Sequence, residues 1–586
     1  MKTNKKVLMM GNHFVVDDAK LTDECAKLAA DLINPAHTLY EQYQPQLLAE
    51  IIRVLKTAKT QADFNDIMKM CIGCGGGKSN IFLLALLIAI KLKYVKKSLI
   101  TAPSKLLLLQ YKDDLSEMIS FGRASGVLPQ SFCVRILEIS SNEKPKKAKV
   151  DEMTDDELLS PEYVESIPEM QQYIKEREAE QQEREAEQHS INYDVVPRTN
   201  VRRIKEELDS DEIVVVFACK PSAIEFAKNI LKKYSHRVFD YVIHDEVHYW
   251  QGAVLKSPAK DAIRIIAEHA KVVLNVTATF KQTDPIYFNH DDPLLGRTVA
   301  DIPTVALKEW GIIKQKLVLR IIKVPQKFRL TDGEKEILAN NKIDARQFYK
   351  EWAVLIQVLR DQLEVANKTG KYPHIIDAGS SVPINQQLVA EGCNFKNSVE
   401  QIIPNTLLSE INGGTKRIIR DEKDQNIKAA TSAQASLTIQ HSCYTAGVNI
   451  TNFNVAVLLR EMCEITLNQF INRVTRKHPD YDTAYVYYAV EENELAKDRL
   501  TRFFNRLWNI GLMIGDIDIE VLEFAGKGTE PPRKSIIKDG ILTEHNATGI
   551  VEDVVFDLIG KEQEVIEENR LDALSDEEFV KEFSKI

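Results

Sequence analysis

The sequence predicts an α/β fold in which two parallel-sheet domains follow one another, and three observations predict it. β-type apolar runs alternate with helical patterns in two separate stretches, as the strands and crossover helices of parallel sheets do. A glycine-rich turn leads into a strongly apolar helix, and an Asp-Glu pair closes a later β-type run. At roughly 150 residues per domain, the 586-residue chain is long enough for about three or four units.

Residues 1–38 precede the first domain, which is placed at 39–310. Its strands are read in SLITA (98–102), EIVVVFA (212–218), FDYVIH (239–244) and KVVLNV (271–276). From about 141 to 210 the text turns charge-dense and poor in large apolar residues, with EKPKKAK, DEMTDDELL and IKEREAEQQEREAEQ. That composition suits an inserted, solvated helix or helical hairpin laced with opposite charges, either a passive excursion or an arm for a protein partner.

A second domain is placed at 311–495, with a helix near 345–366 and strands in HIIDAG (374–379), SLTIQHS (436–442), NVAVLLR (454–460) and TAYVYYAV (483–490). The stretch 496–586 opens on the basic amphipathic AKDRLTRFFNRLWNIG and ends in an acidic tail. It is read as a mainly helical extension, whose tail is a second candidate contact for a protein partner.

Composition narrows the class. The net charge of −10 argues against a generally cationic coat, though not against a local basic groove. Eight cysteines spread from Cys25 to Cys463, with no secretory context, suit a reduced, cytoplasmic chain. Cys71 and Cys74 form a CxxC, but no second pair stands nearby to complete a zinc site. The apolar run of 81–92 is too short for a bilayer, which needs about 20 residues, so no membrane segment is expected.

The turn reads IGCGGGKS from Ile72 to Ser79. Glycine carries no Cβ to hold a ligand away and tolerates positive φ, so the backbone N–H groups of Gly75, Gly76 and Gly77 can close around phosphate oxygens. Lys78 then reaches the β- and γ-phosphates of a nucleotide, Ser79 offers its hydroxyl to Mg²⁺, and the following helix points its positive end at the anion. In the tetrad Asp245-Glu246-Val247-His248, Asp245 stands where a second Mg²⁺ ligand belongs, and Glu246 is placed to orient and polarise an attacking water. Further on, in QFINRVTRKHPD, the residues Gln469, Arg473 and Arg476 fall at i, i+4 and i+7, one face of a helix. A guanidinium held there would stabilise the charge of a phosphoryl-transfer transition state, and the site would be complete only when the two domains close.

The ordered set resembles a superfamily-two helicase of the DExH type over roughly 39–490. IGCGGGKS resembles motif I, TAPSKLLLLQ (101–110) motif Ia, DEVH motif II, Thr277-Ala278-Thr279 motif III, TAGVNI (445–450) motif V and QFINRVTR (469–476) motif VI. The wording YTAGVNITN, then NRVTRKHPD, is most similar to UvsW-like phage recombination helicases. Three positions depart from the family: Ile72 opens motif I in place of Ala or Gly, Asn472 precedes Arg473 in place of Gly, and Asn449 stands where motif V often has an acidic residue.

The resemblance implies two RecA-like domains, ATP and Mg²⁺ as cofactors, and a motor on nucleic acid, DNA favoured over RNA, acting in a cytoplasm, a host's if the source is viral. It implies that Gln44 reads the adenine with Tyr43 nearby, that Gly447 lies at the nucleotide, and that His248, Thr277, Thr279 and Asn449 couple nucleotide state to movement. Pro103, Ser104 and Lys105 of motif Ia are the expected phosphate contacts of the polymer. Tyr249 and Trp250 suit either a base stack or core packing. Arg499, Arg502 and Arg506, with Phe503, Phe504 and Trp508, suit either a nucleic-acid contact or docking on the second domain. A transcription-linked RNA helicase and a motor subunit of a nuclease or restriction complex are the alternatives. A silent nucleotide-binding scaffold would not need Lys78, Asp245, Glu246 and both arginines together.

Overall fold

The computed structural model describes residues 19–542 apart from 141–190, 251–257, 279–293, 325–335, 442–451, 524–532 and gaps of four residues or fewer, with Val554 and Asp557 beyond them. The middle of the charged insertion, the acidic tail, Cys74, Ser104, Thr279, Gly447 and Asn449 therefore lie outside the described residues, as do the side chains of His248, Tyr249 and Trp508. Two compact units result, one of Met1–Gly73 with Gly77–Ile302, the other of Pro303–Ile586 grouped with Cys74–Gly76.

The first unit is built on eight strands: β1 (Asp66–Ile72), β2 (Lys97–Ala102), β3 (Val134–Ser140), β4 (Ile191–Pro197), β5 (Val214–Cys219), β6 (Phe239–His244), β7 (Ala270–Thr277) and β8 (Arg297–Ile302). They lie in the order β4-β3-β5-β2-β6-β7-β1-β8, and every pairing is parallel. The strands β2 and β5–β7 read as near-continuous apolar runs because helices cover both faces of a parallel sheet. The helix Lys78–Lys91 shows the same logic, since every residue from Ile81 to Ile90 is buried. A helix apolar all round is a core helix.

The insertion is shorter than its charge density suggests. Its last part, 191–209, forms β4 and the helix Val201–Asp209, and β4 pairs with β3 at the sheet edge. Within 191–209, Glu207 pairs with Arg135 of β3 and Arg203 with Asp194, while Ile204 and Leu208, at i and i+4, face the core.

In the second unit, β9 (Lys316–Val324), β10 (His374–Ala378), β11 (Leu407–Ile411), β12 (Ser436–Gln440), β13 (Val455–Leu458), β14 (Thr483–Glu491), β15 (Asp518–Leu522), β16 (Arg533–Lys538) and β17 (Ile541–Leu542) form one sheet in the order β11-β12-β10-β13-β14-β9-β15-β16-β17. The first seven of that order are parallel, and the last two pairings are antiparallel. Among the described residues of 496–542, the helix Ala496–Asn509 is followed by three strands that join this sheet, which the expectation of a mainly helical extension did not include; the tail beyond lies almost wholly outside the described residues. Ile517, Ile519 and Val521 are buried at a spacing of two, the strand period, which the charged surroundings obscured.

A buried polar network fastens the added strand. Arg320 of β9 meets Asp361 of the helix Ala345–Thr369, Tyr487 of β14 at 2.8 Å and Glu520 of β15 at 2.7 Å, so its charge is paired on both sides. The helix Ala496–Asn509 docks on the same unit, with Leu500, Phe503, Phe504 and Leu507 buried and Phe503 stacked on Tyr488 at 4.1 Å. Its Arg502 and Arg506 pair with Glu461 at 3.3 and 3.7 Å. Docking therefore accounts for the aromatic residues of this helix that are described. Trp250 is likewise a core residue, packed edge-on against His244 at 5.4 Å.

Candidate nucleotide site

The site of the first unit lies at the C-terminal ends of β1 and β6, where ligands of open α/β sheets bind. After β1 the chain turns through Gly75 at φ +88° and Gly77 at φ +72° into the helix Lys78–Lys91. Both conformations are left-handed, which explains glycine there. Space is a second reason at Gly77, because a Cβ on it would come within 2.6 Å of the Gln44 side-chain nitrogen. Gln44 is buried against this turn, and its Oε1 accepts the Tyr40 N–H at 2.9 Å. Tyr43 beside it is wholly buried. Lys78 Nζ donates to the Ile72 carbonyl at 3.0 Å.

Asp245 follows β6 and is held by its own N–H, which donates to Thr101 of β2 at 2.9 Å. Burial, then the carboxylate of Glu246, push its pKa well above the ordinary range, against the pull of Tyr111 and Lys78. Glu246 takes φ +47°, a left-handed conformation rare for a side chain of that size. Such strain gathers where function requires a particular side-chain direction. Just upstream, His244 is wholly buried and neutral, its pKa pushed down to about 3 by burial, with Nδ1 on the Thr101 hydroxyl at 2.7 Å.

The structure therefore brings Lys78, Ser79, Asp245 and Glu246 into one neighbourhood of the first unit, and adds a residue that sequence reasoning missed. Tyr111 donates its hydroxyl to Asp245 Oδ2, with the Ser79 side chain close to the same oxygen. Within LLLLQYKDDL a tyrosine on the apolar face of a helix reads as core, and nothing local signals where its oxygen points. A hydroxyl and a carboxylate are hard oxygen donors, and a divalent cation there would offset the repulsion that raises Asp245. Ser79 and Asp245 thus fit a Mg²⁺ ion.

Thr277 closes β7 and is buried. Lys105 heads the helix Lys105–Ala124 and pairs with Glu138 at 3.1 Å, so a polymer phosphate would have to compete with that carboxylate. Pro103 precedes it, at the end of β2.

In the second unit the helix Glu464–Val474 carries Gln469 and Arg473, both buried, but stops before Arg476. Arg476 lies past the helix end, in a β-bridge with Ile313, so the three residues do not share one helical face. The cause is Lys314, whose backbone N–H takes the Thr475 carbonyl at 2.8 Å while Nζ takes those of Val474 at 2.7 Å and Phe453 at 3.3 Å. A cation on the last carbonyls of a helix caps its negative end. Asn472, the departure from the family's glycine, is buried and internally satisfied, donating to the Asn468 carbonyl at 2.7 Å and accepting from Thr475 at 3.1 Å.

Burial pushes the Lys314 pKa down to about 7, opposed by Asp482. The unfolded chain keeps that proton up to about 10.5. The unfolded state therefore binds more protons between these values, and the group's contribution to stability is present above them and is lost as pH falls toward 7, at about 1.4 kcal/mol per pH unit. Its neighbours titrate elsewhere: His374 and His478 are held below the ordinary imidazole range, chiefly by burial, and Tyr481 above the ordinary phenol range. Lys314→Met is expected to remove this part of the slope, read as the urea midpoint at pH 7.5 and 9.5 in both proteins. An unchanged difference between the two pH values would show Lys314 to be protonated throughout.

The sequence family described as Type III restriction enzyme, res subunit, matches residues 38–282. No curated protein sequence matches the chain. Among solved structures, the ATP-dependent Type ISP restriction-modification enzyme LlaBIII bound to DNA aligns with a TM-score of 0.52 at 12% identity, over 82% of this chain and 31% of that one. The DEAD-box helicase Mss116 bound to ssRNA and UDP-BeF gives 0.48 at 13% identity, over 86% and 78% of the two chains. The DUF1998 helicase MrfA bound to DNA gives 0.48 at 13%, over 83% and 54%. The chain thus spans about a third of the length of the first of these. At such identities the likeness is one of fold, two successive RecA-like α/β domains, each on a largely parallel sheet. Among the described residues no helix is long and apolar enough to cross a membrane.

Proposed function

We propose that this chain is an ATP-hydrolysing motor that moves on nucleic acid, with DNA the favoured track. The observation that carries the reading is the convergence of Lys78, Ser79, Asp245 and Glu246 around a glycine turn of positive φ, with Asp245 buried beside a second carboxylate. Two adjoining acids, one of them buried, cost stability unless a bound cation or a reaction uses them.

In this reading the N–H groups of Gly75, Gly76 and Gly77 and the Lys78 ammonium hold the phosphates, and Gln44 with Gly447 serves the rest of the nucleotide. Ser79 and Asp245 hold Mg²⁺, which when bound neutralises phosphate charge. Glu246 orients the attacking water and accepts its proton, and Arg473 and Arg476, with Gln469, supply positive charge to the transferring phosphoryl group. Thr277, Thr279, His248 and Asn449 pass the nucleotide state to the polymer grip, in which Pro103, Ser104 and Lys105 hold phosphates. Remodelling of DNA in recombination, as in UvsW-like helicases, is one setting. The match of 38–282 to the family described as Type III restriction enzyme, res subunit, favours a second, translocation within a restriction complex whose partner proteins bring the nuclease. The 141–210 segment and the acidic tail are the candidate partner contacts.

Steady-state ATP hydrolysis measured without polymer and with single-stranded, duplex and forked DNA and with RNA tests the reading. Stimulation by DNA, abolished in Lys78→Ala, is expected. Hydrolysis indifferent to every polymer, or to loss of Lys78, would sink it.

A further inference from the structure

Ser79 and Asp245 come from strands that do not touch. β7 lies between β1 and β6 in the sheet, so no ladder of hydrogen bonds sets the distance from the phosphate turn to the Asp-Glu pair directly. What joins them is a third element, the helix Lys105–Ala124 that follows β2. Its Tyr111 is wholly buried, and its ring meets Phe82 of the phosphate-turn helix edge-on at 5.3 Å and 89°. A phenylalanine would fill that core position as well. A buried hydroxyl costs stability unless it is satisfied. Here it is satisfied by donating to Asp245, and Ser79, the other oxygen that fits a divalent cation, lies beside it.

We propose that Tyr111 is a positioning residue of this site, its hydroxyl holding the Asp245 carboxylate where it shares a divalent cation with Ser79. The inference rests on the nucleotide reading above and adds to it a residue outside the phosphate turn and the acidic pair. Tyr111 acts through Asp245 and is not itself a phosphate-binding group. Groups that orient metal ligands typically change metal affinity by about ten- to a hundredfold when removed.

The test is Tyr111→Phe, which deletes one oxygen and keeps the ring against Phe82. Binding of a fluorescent ADP analogue is titrated with Mg²⁺ in both proteins, and again in EDTA, with melting midpoints in EDTA measured alongside. The Mg²⁺ concentration for half-maximal binding is expected to rise about tenfold or more in the variant, with analogue affinity in EDTA unchanged. An identical Mg²⁺ midpoint overturns the proposal, including the case in which only the melting midpoint falls, since that is the signature of a packing role. Absence of analogue binding by the unaltered protein at any Mg²⁺ concentration overturns the nucleotide reading itself, and this inference with it.

Discussion

Glu246→Gln is expected to lower kcat for ATP hydrolysis by about two to four orders of magnitude while leaving nucleotide binding in place. The substitution keeps the size and the left-handed backbone of a residue that already holds φ +47°. It removes the ability to take a proton from water. It also removes one of the charges that push Asp245 above the ordinary carboxylate range, the larger cause there being burial. Asp245 should then ionise more readily, so Mg²⁺-nucleotide affinity is expected to hold or improve as turnover collapses. Single-turnover hydrolysis beside equilibrium binding separates the two effects. A fall of less than tenfold in hydrolysis, or a parallel loss of binding, would place Glu246 outside the chemistry.

The parts of this site that sequence revealed are those in which backbone conformation and chemistry are set locally. A glycine turn before an apolar helix and an acidic pair after an apolar strand each declare themselves within about eight residues. Tyr111 did not, because what it does depends on the convergence of three separate segments. The same holds for Lys314, a lone lysine in the text, which ends the helix Glu464–Val474 from more than a hundred residues away and thereby takes Arg476 off the helical face. The two sheets were legible from alternating periodicity, but the boundaries of the charged segments were not. In 191–209 and 518–522 the charges are consumed by neighbours such as Arg203 with Asp194 and Arg320 with Glu520, and composition alone does not distinguish a paired charge from a solvated one.

The second large effect is expected at Arg476. Arg476→Ala should cost about three to five orders of magnitude in polymer-stimulated kcat if its guanidinium stabilises the transferring phosphoryl group. Arg476→Lys should recover little, since an ammonium does not reproduce a planar fork that spans two oxygens. The structure makes this substitution readable, because Arg476 follows the helix and is less buried than Arg473, while Asn472 and the Lys314 cap secure the segment independently of it. Arg473→Ala, by contrast, opens a buried position and would mix folding with chemistry. The measurement is kcat at saturating ATP and polymer, with melting midpoints confirming fold. A loss confined to tenfold would assign the transition-state charge to another group.

The order of strands in the first sheet also bears on when the protein becomes competent during its synthesis. β1, which delivers the phosphate turn, hydrogen-bonds only to β7 and β8, whose residues end at Ile302. Of the eight strands of this sheet it is made first, and it waits for the last two before it is paired. For that interval the apolar strand β1 lacks both of its strand partners, the condition in which nascent chains recruit chaperones. If the phosphate turn serves ATP as proposed, its strand is fully paired only once translation has passed Ile302, and nucleotide would then stabilise this unit late rather than early.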